Sequence, residues 1–97
     1  MKRWIFSILL FSTALDAAPY AKTQVRWHES ADRVHYQSVC FNYVKNTTEW
    51  RHCRRDAVAV FRQLCNQATK KADRSANARD IQRRKKYCQA AASYSPL

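Results

Sequence analysis

Glycine is absent from this chain of 97 residues. Primed two-residue hairpin turns and glycine-rich phosphate loops both depend on glycine, so its absence disfavours both features. Acidic residues are scarce as well, because seven Asp and Glu stand against 18 Lys and Arg and give a formal net charge of +11. Alanine, glutamine, arginine and lysine are abundant, and these residues are helix formers. The composition therefore predicts an all-α fold.

The sequence also lacks an apolar run long enough to cross a bilayer. Its longest apolar stretch, residues 4–15, covers 12 positions and is broken only by serine and threonine, whereas a membrane-spanning helix needs about 20 residues. Lys2 and Arg3 precede this stretch and Ala17 and Ala18 follow it, which is the order of a secretory signal peptide. We predict a signal peptide over residues 1–17 and export to the periplasm or out of the cell. Its removal leaves 16 basic and 6 acidic residues, a net charge of +10.

Four cysteines are present, an even number in a chain predicted to be exported. A domain of about 80 residues buries only a modest core and often depends on covalent cross-links, so we predict two disulfides. Zinc binding is the alternative, but no two cysteines have the Cys-x-x-Cys spacing of a zinc knuckle. No cofactor or metal site is predicted. The four cysteines are Cys40, Cys53, Cys65 and Cys88.

The spacing of apolar residues predicts three helices. One lies within residues 31–45, a second carries a single apolar stripe from Trp50 to Ala68, and a third covers about residues 78–93. The chain breaks between them carry helix-capping pairs. Asn46 is followed three residues later by Glu49, the spacing of a cap with a reciprocal acid. The cap of the last helix is Ser75 or Asn77, and Asn77 repeats this spacing with Asp80.

The breaks also predict which cysteines pair. Residues that face each other across a helical hairpin have their sequence midpoint in the turn. The midpoint of Cys40 and Cys53 falls in the first break, and that of Cys65 and Cys88 falls in the second. We therefore predict the disulfides Cys40–Cys53 and Cys65–Cys88. The predicted architecture is an extended or partly ordered arm over residues 18–30, then a disulfide-stapled three-helix bundle of two consecutive hairpins over residues 31–95.

Two groups of basic residues are candidates for binding an anion. A solvated surface is the simpler explanation of such charges; the functional one is an electrostatic footprint for an anionic macromolecule or an acidic protein, with nucleic acid less favoured. Helix geometry places Arg84 or Lys85 near the seam between the second and third helices, where its aliphatic stem extends along apolar surface. The candidates are Arg51, Arg55 and Arg62 on the second helix, and Arg79, Arg83 and Lys86 on the third.

The aromatic residues divide between core and surface. Those that fall on helical stripes are predicted to lie in the core, and the remainder are better candidates for a binding surface. The predicted core set is Tyr36, Tyr43, Trp50 and Phe61, and the predicted surface set is Phe41, Tyr87 and Tyr94.

Three functions fit these features. The favoured one is a small exported basic helical protein that binds an anionic envelope component or protein through a cationic helix surface. The first alternative is a cationic membrane-active toxin or antimicrobial protein. The second is a ribonuclease-like secreted enzyme that would use two of His28, His35 and His52 as acid and base. The spacing of the histidines gives this enzyme no support, so no catalytic residue is predicted.

Overall fold

Two α-helices organise the part of the chain that is described, residues 23–97 of a computed structural model. Helix α1 covers Thr48–Ser75 and helix α2 covers Ala78–Ser93, and one turn of 3-10 helix, Tyr36–Ser38, precedes them. The predicted signal peptide and the beginning of the predicted arm lie outside the described residues. Within residues 23–97, no helix is both long and apolar enough to span a bilayer.

Helix α1 begins at a side-chain cap and ends at a left-handed residue. The Trp50 N–H donates to Thr47 Oγ1 at 3.2 Å, so Thr47 is the cap, and the predicted cap Asn46 is one residue too early. Asn46 has a φ of 71° and closes the preceding loop. At the other end Ala76 has a φ of 55°, the backbone region where helices most often end in glycine. A chain without glycine uses alanine here.

Helix α2 has the bounds that its sequence pattern predicts. Asn77 is its N-cap, and its Oδ1 accepts a hydrogen bond from the Asp80 N–H at 2.9 Å. The buried carboxylate of Asp80 also accepts a hydrogen bond from Ser75 Oγ at the end of α1. Because one acid contacts both helix ends, the two-residue connection between α1 and α2 is closely held.

The helix predicted within residues 31–45 does not form. Glu29 and Val34 make an isolated antiparallel bridge, and only Tyr36–Ser38 is helical, as a 3-10 turn. Ser38 explains part of the difference, because its hydroxyl donates to His35 O at 2.6 Å and accepts from His28 N–H at 2.8 Å. Such local side-chain bonds compete with helix formation. The described fold is therefore an antiparallel helical hairpin with an irregular segment, residues 23–47, packed on it, and the three-helix bundle is wrong for these residues.

Two disulfides cross-link these parts. Cys40 is joined to Cys53 and Cys65 to Cys88, with S–S distances of 2.01 and 1.94 Å. These are the same pairs that the sequence midpoints predict. The first ties the irregular segment to α1 and the second ties α1 to α2. Paired cysteines of this kind are typical of an oxidising, exported environment.

The core lies on one side of α1. The Phe61 ring is at its centre, with ring centroids of Trp27 at 4.9 Å and Tyr94 at 5.2 Å. Tyr87 and Tyr94 are buried, so the prediction that they belong to a binding surface is wrong. Helix α2, the irregular segment and the C-terminal tail, residues 94–97, all pack on this side. The opposite side of α1 faces solvent. The buried residues of α1 are Cys53, Arg54, Ala57, Phe61, Ala68 and Ala72.

Candidate anion-binding surface

Three arginines lie on the solvent-facing side of α1, where the sequence pattern places them. Arg51, Arg55 and Arg62 are exposed, and at 100° per residue they fall within about 40° around the helix axis. Within residues 23–97 their side chains form no hydrogen bond and no ion pair. Their guanidinium groups are therefore available to a ligand.

Two further cations extend this surface toward the end of α1. Lys70 and Arg74 are exposed and continue the i, i+4 row that starts at Arg62 and passes through Asn66. Their place near the helix end also suits the helix dipole, so the sequence alone does not mark these two residues as part of a binding surface. We name the set Arg51, Arg55, Arg62, Lys70 and Arg74 the α1 ridge. It covers about 35 Å at 1.5 Å per residue.

A hollow interrupts the α1 ridge near its middle. It has a volume of about 150 Å³ and is lined by Ala59, Arg62, Gln63 and Asn66. The small side chain of Ala59 leaves the space, and the lining groups include a guanidinium and two carboxamides, all of them hydrogen-bond donors. Nothing in the apolar pattern of the sequence predicts this hollow, although the i, i+3, i+4, i+7 spacing of its residues is visible there.

The acidic residues are mostly engaged away from the α1 ridge. Residues 23–97 hold fifteen Lys and Arg but only six Asp and Glu. Glu29 pairs with Lys86, and Asp56 accepts from the backbone N–H and hydroxyl of Thr23 at 3.0 and 2.8 Å. Asp73 is exposed near the end of α1, between Lys70 and Arg74, and its carboxylate lies 4.0 Å from Arg84 of α2. Within residues 23–97, no cation of the α1 ridge forms an ion pair with a carboxylate.

The predicted cationic ridge on α2 is exposed at Arg79 and Arg83 but is wrong at Lys86, which is buried. Lys86 is only 7% exposed, and its Nζ donates to Glu29 Oε2 at 2.6 Å and to Ser30 O at 3.3 Å. Arg79 and Arg83 are both exposed, and the Arg83 guanidinium carbon is 5.4 Å from the centroid of the Tyr87 ring. The irregular segment covers Lys86, and helical spacing within α2 cannot reveal a contact with residues more than 50 positions away.

The outward face of α2 carries different residues. Lys85 is exposed, and Arg84 is half-exposed at the seam beside Asp73 of α1. The prediction that Arg84 or Lys85 lies at the seam therefore applies to Arg84. A hollow on this face is lined in part by Lys85, Gln89 and the carboxylate of Asp32.

Glu29 is the centre of a polar cluster that joins the irregular segment to α2. Besides Lys86, it accepts hydrogen bonds from Trp27 Nε1 at 2.8 Å and from the Tyr87 hydroxyl at 3.0 Å. Partial burial raises the pKa of Glu29, but the hydrogen bonds from Lys86, Trp27 and Tyr87 outweigh burial and hold the pKa below its ordinary value of 4.5. Burial, followed by the contact with Glu29, raises the pKa of Tyr87.

The cluster predicts an acid-dependent loss of stability. Because the folded-state pKa of Glu29 lies below 4.5, its contribution to stability is fully present above the unfolded-state value and is lost as the pH falls through the folded-state value. We expect Glu29→Gln to lower the melting temperature at pH 7, and the difference from the wild type to close as the pH falls below the unfolded-state pKa and through the folded-state pKa of Glu29. Thermal unfolding followed by circular dichroism measures this gap, and a gap that is constant with pH would contradict the assignment.

Arg54 is a buried cation on the core side of α1. Its guanidinium donates to the backbone oxygens of Tyr36 and Pro96 at 2.8 Å each. It also donates to Val39 O at 3.3 Å and Ser95 O at 3.2 Å. The sequence indicates this burial, because the helical angle of position 54 falls inside the apolar stripe of α1. Arg54 binds backbone carbonyls of the fold and is not part of the ligand surface.

Arg54 also lies between two aromatic rings. Its guanidinium carbon is 5.2 Å from the centroid of Trp50 and 5.0 Å from that of Tyr94. The Tyr94 hydroxyl in turn donates to Arg54 O at 2.9 Å, and burial raises the pKa of Tyr94 to about 12 although the Arg54 charge lowers it. The C-terminal tail is thus fixed to α1 from both sides.

The histidines form no site of their own. His28 stacks on Phe41 with ring centroids 4.3 Å apart, and His52 is exposed on α1. His35 faces His28 across the bridge, where its backbone N–H donates to His28 O at 3.0 Å. In residues 23–97 no hydrogen bond joins two histidine side chains, and no three His, Cys, Asp or Glu side chains are grouped to hold a metal ion.

Comparison of the chain with protein-family models, with curated proteins and with solved structures gives no match.

Proposed function

We propose that the chain is a small exported binding protein that engages an anionic envelope component or an acidic protein through the α1 ridge. The observation that carries this proposal is the set of five exposed cations on one helix whose side chains have no hydrogen bond or ion pair within the described residues. Unpaired charges of one sign raise the local concentration of oppositely charged partners and speed their association.

The distribution of apolar residues favours binding over membrane disruption. A membrane-active helix needs a continuous apolar face to insert into the interface, but the apolar side of α1 is occupied by the core. Within residues 23–97, the large apolar residues with substantial exposure are Phe41, Val44 and Leu97, and none of them lies on α1. These observations support a binding protein rather than a toxin.

Export is the second part of the proposal. It is supported by the signal-like order of residues 1–17 and by the two disulfides. We place the protein in the periplasm or outside the cell, where anionic polymers, lipid head groups and acidic proteins are all accessible to a basic surface.

The triple variant Arg51→Gln, Arg55→Gln and Arg62→Gln tests the surface. We expect its affinity for the best of three probes to fall about tenfold or more, because each exposed ion contact contributes about 0.5–1 kcal/mol. The probes are phosphatidylglycerol vesicles, inorganic polyphosphate and polyglutamate, and the readout is fluorescence anisotropy at two salt concentrations.

The matched control removes three exposed charges elsewhere: Arg33→Gln, Arg79→Gln and Lys85→Gln. Its affinity should stay close to that of the wild type. Equal losses in the two triple variants would mean that only net charge matters, and binding that survives the α1 triple would overturn the proposal. Leakage from the vesicles at low protein concentration would instead identify a membrane-active toxin.

A further inference from the structure

The α1 ridge is long and narrow. At 1.5 Å per residue, the steps from Arg51 to Arg55, Arg62, Lys70 and Arg74 are about 6, 10, 12 and 6 Å. The cations therefore form a single file along the helix and not a compact cluster. A small anion would contact at most two neighbouring cations of the ridge, whereas a chain with repeated negative charges would contact them all.

The α1 ridge also turns around the helix axis. At 100° per residue, Arg51 and Arg74 point about 140° apart. A flat bilayer surface cannot meet both ends of such a row at once. A flexible polymer can follow the row. Because charge is repeated along the polymer, each contact adds to the binding free energy.

The hollow beside Arg62 suits a phosphate group. Arg62, Gln63 and Asn66 bring a guanidinium and two carboxamide donors to one point of the α1 ridge. Phosphate oxygens accept bonds from a guanidinium and from neutral donors together, and arginine binds them in a two-pronged geometry. No carboxylate lines this hollow, whereas the hollow on α2 that contains Lys85 and Gln89 includes Asp32.

From these features we infer that the ligand of the α1 ridge is a linear phosphate-bearing polymer, with one phosphate group seated in the hollow between Arg62 and Asn66. This inference rests on the proposed function and narrows it to one ligand class. The polymer lies along α1, and the remaining cations of the ridge contact successive phosphates on either side of the hollow.

Chain length is the first test, with inorganic polyphosphate as the probe. We expect long polyphosphate to bind at least about tenfold more tightly per phosphate than tripolyphosphate, because only the long chain reaches the whole ridge. For a flexible chain, each neutralised phosphate adds about −0.7 to the slope of log affinity against log salt. Five contacts therefore predict a slope of about −3.5.

The double variant Arg62→Gln/Asn66→Ala tests the hollow. We expect it to weaken binding of long polyphosphate about tenfold and to reduce the magnitude of the salt slope by about 0.7. The matched control is Lys85→Gln/Gln89→Ala, which removes the same charge from the same i, i+4 spacing on α2 and should bind nearly as the wild type does. Circular dichroism verifies that both variants keep their helicity.

Three results would overturn this inference. They are equal affinity per phosphate for the long and short chains, tighter binding to phosphatidylglycerol vesicles than to polyphosphate, and equal losses in the two double variants. Each leaves the proposed function standing if the Arg51/Arg55/Arg62 triple variant still loses anion binding while its own control does not. If the triple variant and its control lost anion binding equally, the proposed function would be overturned as well.

Discussion

Replacing Arg54 with methionine is expected to lower the free energy of unfolding by about 3–5 kcal/mol. Methionine fills similar space but donates no hydrogen bond, so the backbone oxygens of Tyr36, Val39, Ser95 and Pro96 lose the donor that now serves them. A buried acceptor left without a donor costs its desolvation free energy. Chemical denaturation followed by circular dichroism measures the change.

The control for this prediction is the neighbouring residue. Arg55 is exposed on α1, and Arg55→Met should change the free energy of unfolding by no more than about 0.5 kcal/mol. The same charge is lost and the same side chain is gained in both variants. An equal effect of the two substitutions would show that Arg54 does not hold the irregular segment and the tail on α1.

Removal of the Cys40–Cys53 disulfide is expected to lower the free energy of unfolding by about 3 kcal/mol and the melting temperature by about 12–24 °C. The irregular segment has no helix or sheet ladder of its own beyond one bridge and one 3-10 turn. Without this cross-link, it should open before the helices unfold. We expect the amide of Cys40, which donates to Arg26 O at 2.6 Å, to lose its protection from hydrogen exchange first.

Removal of the Cys65–Cys88 disulfide is the matched comparison. This pair joins two helices that already pack on each other, so the Cys65→Ala/Cys88→Ala variant should lose about as much total stability but keep the irregular segment attached. Hydrogen exchange of Cys40 and His35 distinguishes the two variants. If both lose protection at these amides equally, the segment does not depend on its own cross-link.

The elements that local chemistry specifies could be predicted from the sequence. Asn77 and Asp80 set the start of α2, and the apolar stripe of α1 identifies its buried side, because both signals act within a few residues. The cysteine pairs follow from hairpin geometry, which needs only the turn position. The helix predicted within residues 31–45 fails for the opposite reason. Tyr36, Val39 and Cys40 are spaced as in a helix, but they reach the core from an irregular loop.

The same distinction between local and long-range signals separates the correct and the wrong predictions for the candidate site. Arg51, Arg55 and Arg62 are where helical periodicity places them, since an exposed position opposite a buried stripe is a local property. Lys86 is not, because its environment is set by Glu29, 57 residues earlier in the chain. The hollow at Ala59 depends on the shapes of four side chains together, which hydrophobic patterning does not encode.

All other parts of the described fold pack on one side of α1, and this arrangement has an evolutionary consequence. The residues that hold the protein together and those proposed to contact its ligand share a helix but no positions. Substitutions on the outward side can reverse or redistribute charge without disturbing the disulfides, Arg54 or the aromatic core. A lineage of such proteins could therefore exchange one ligand for another while its stability stays constant.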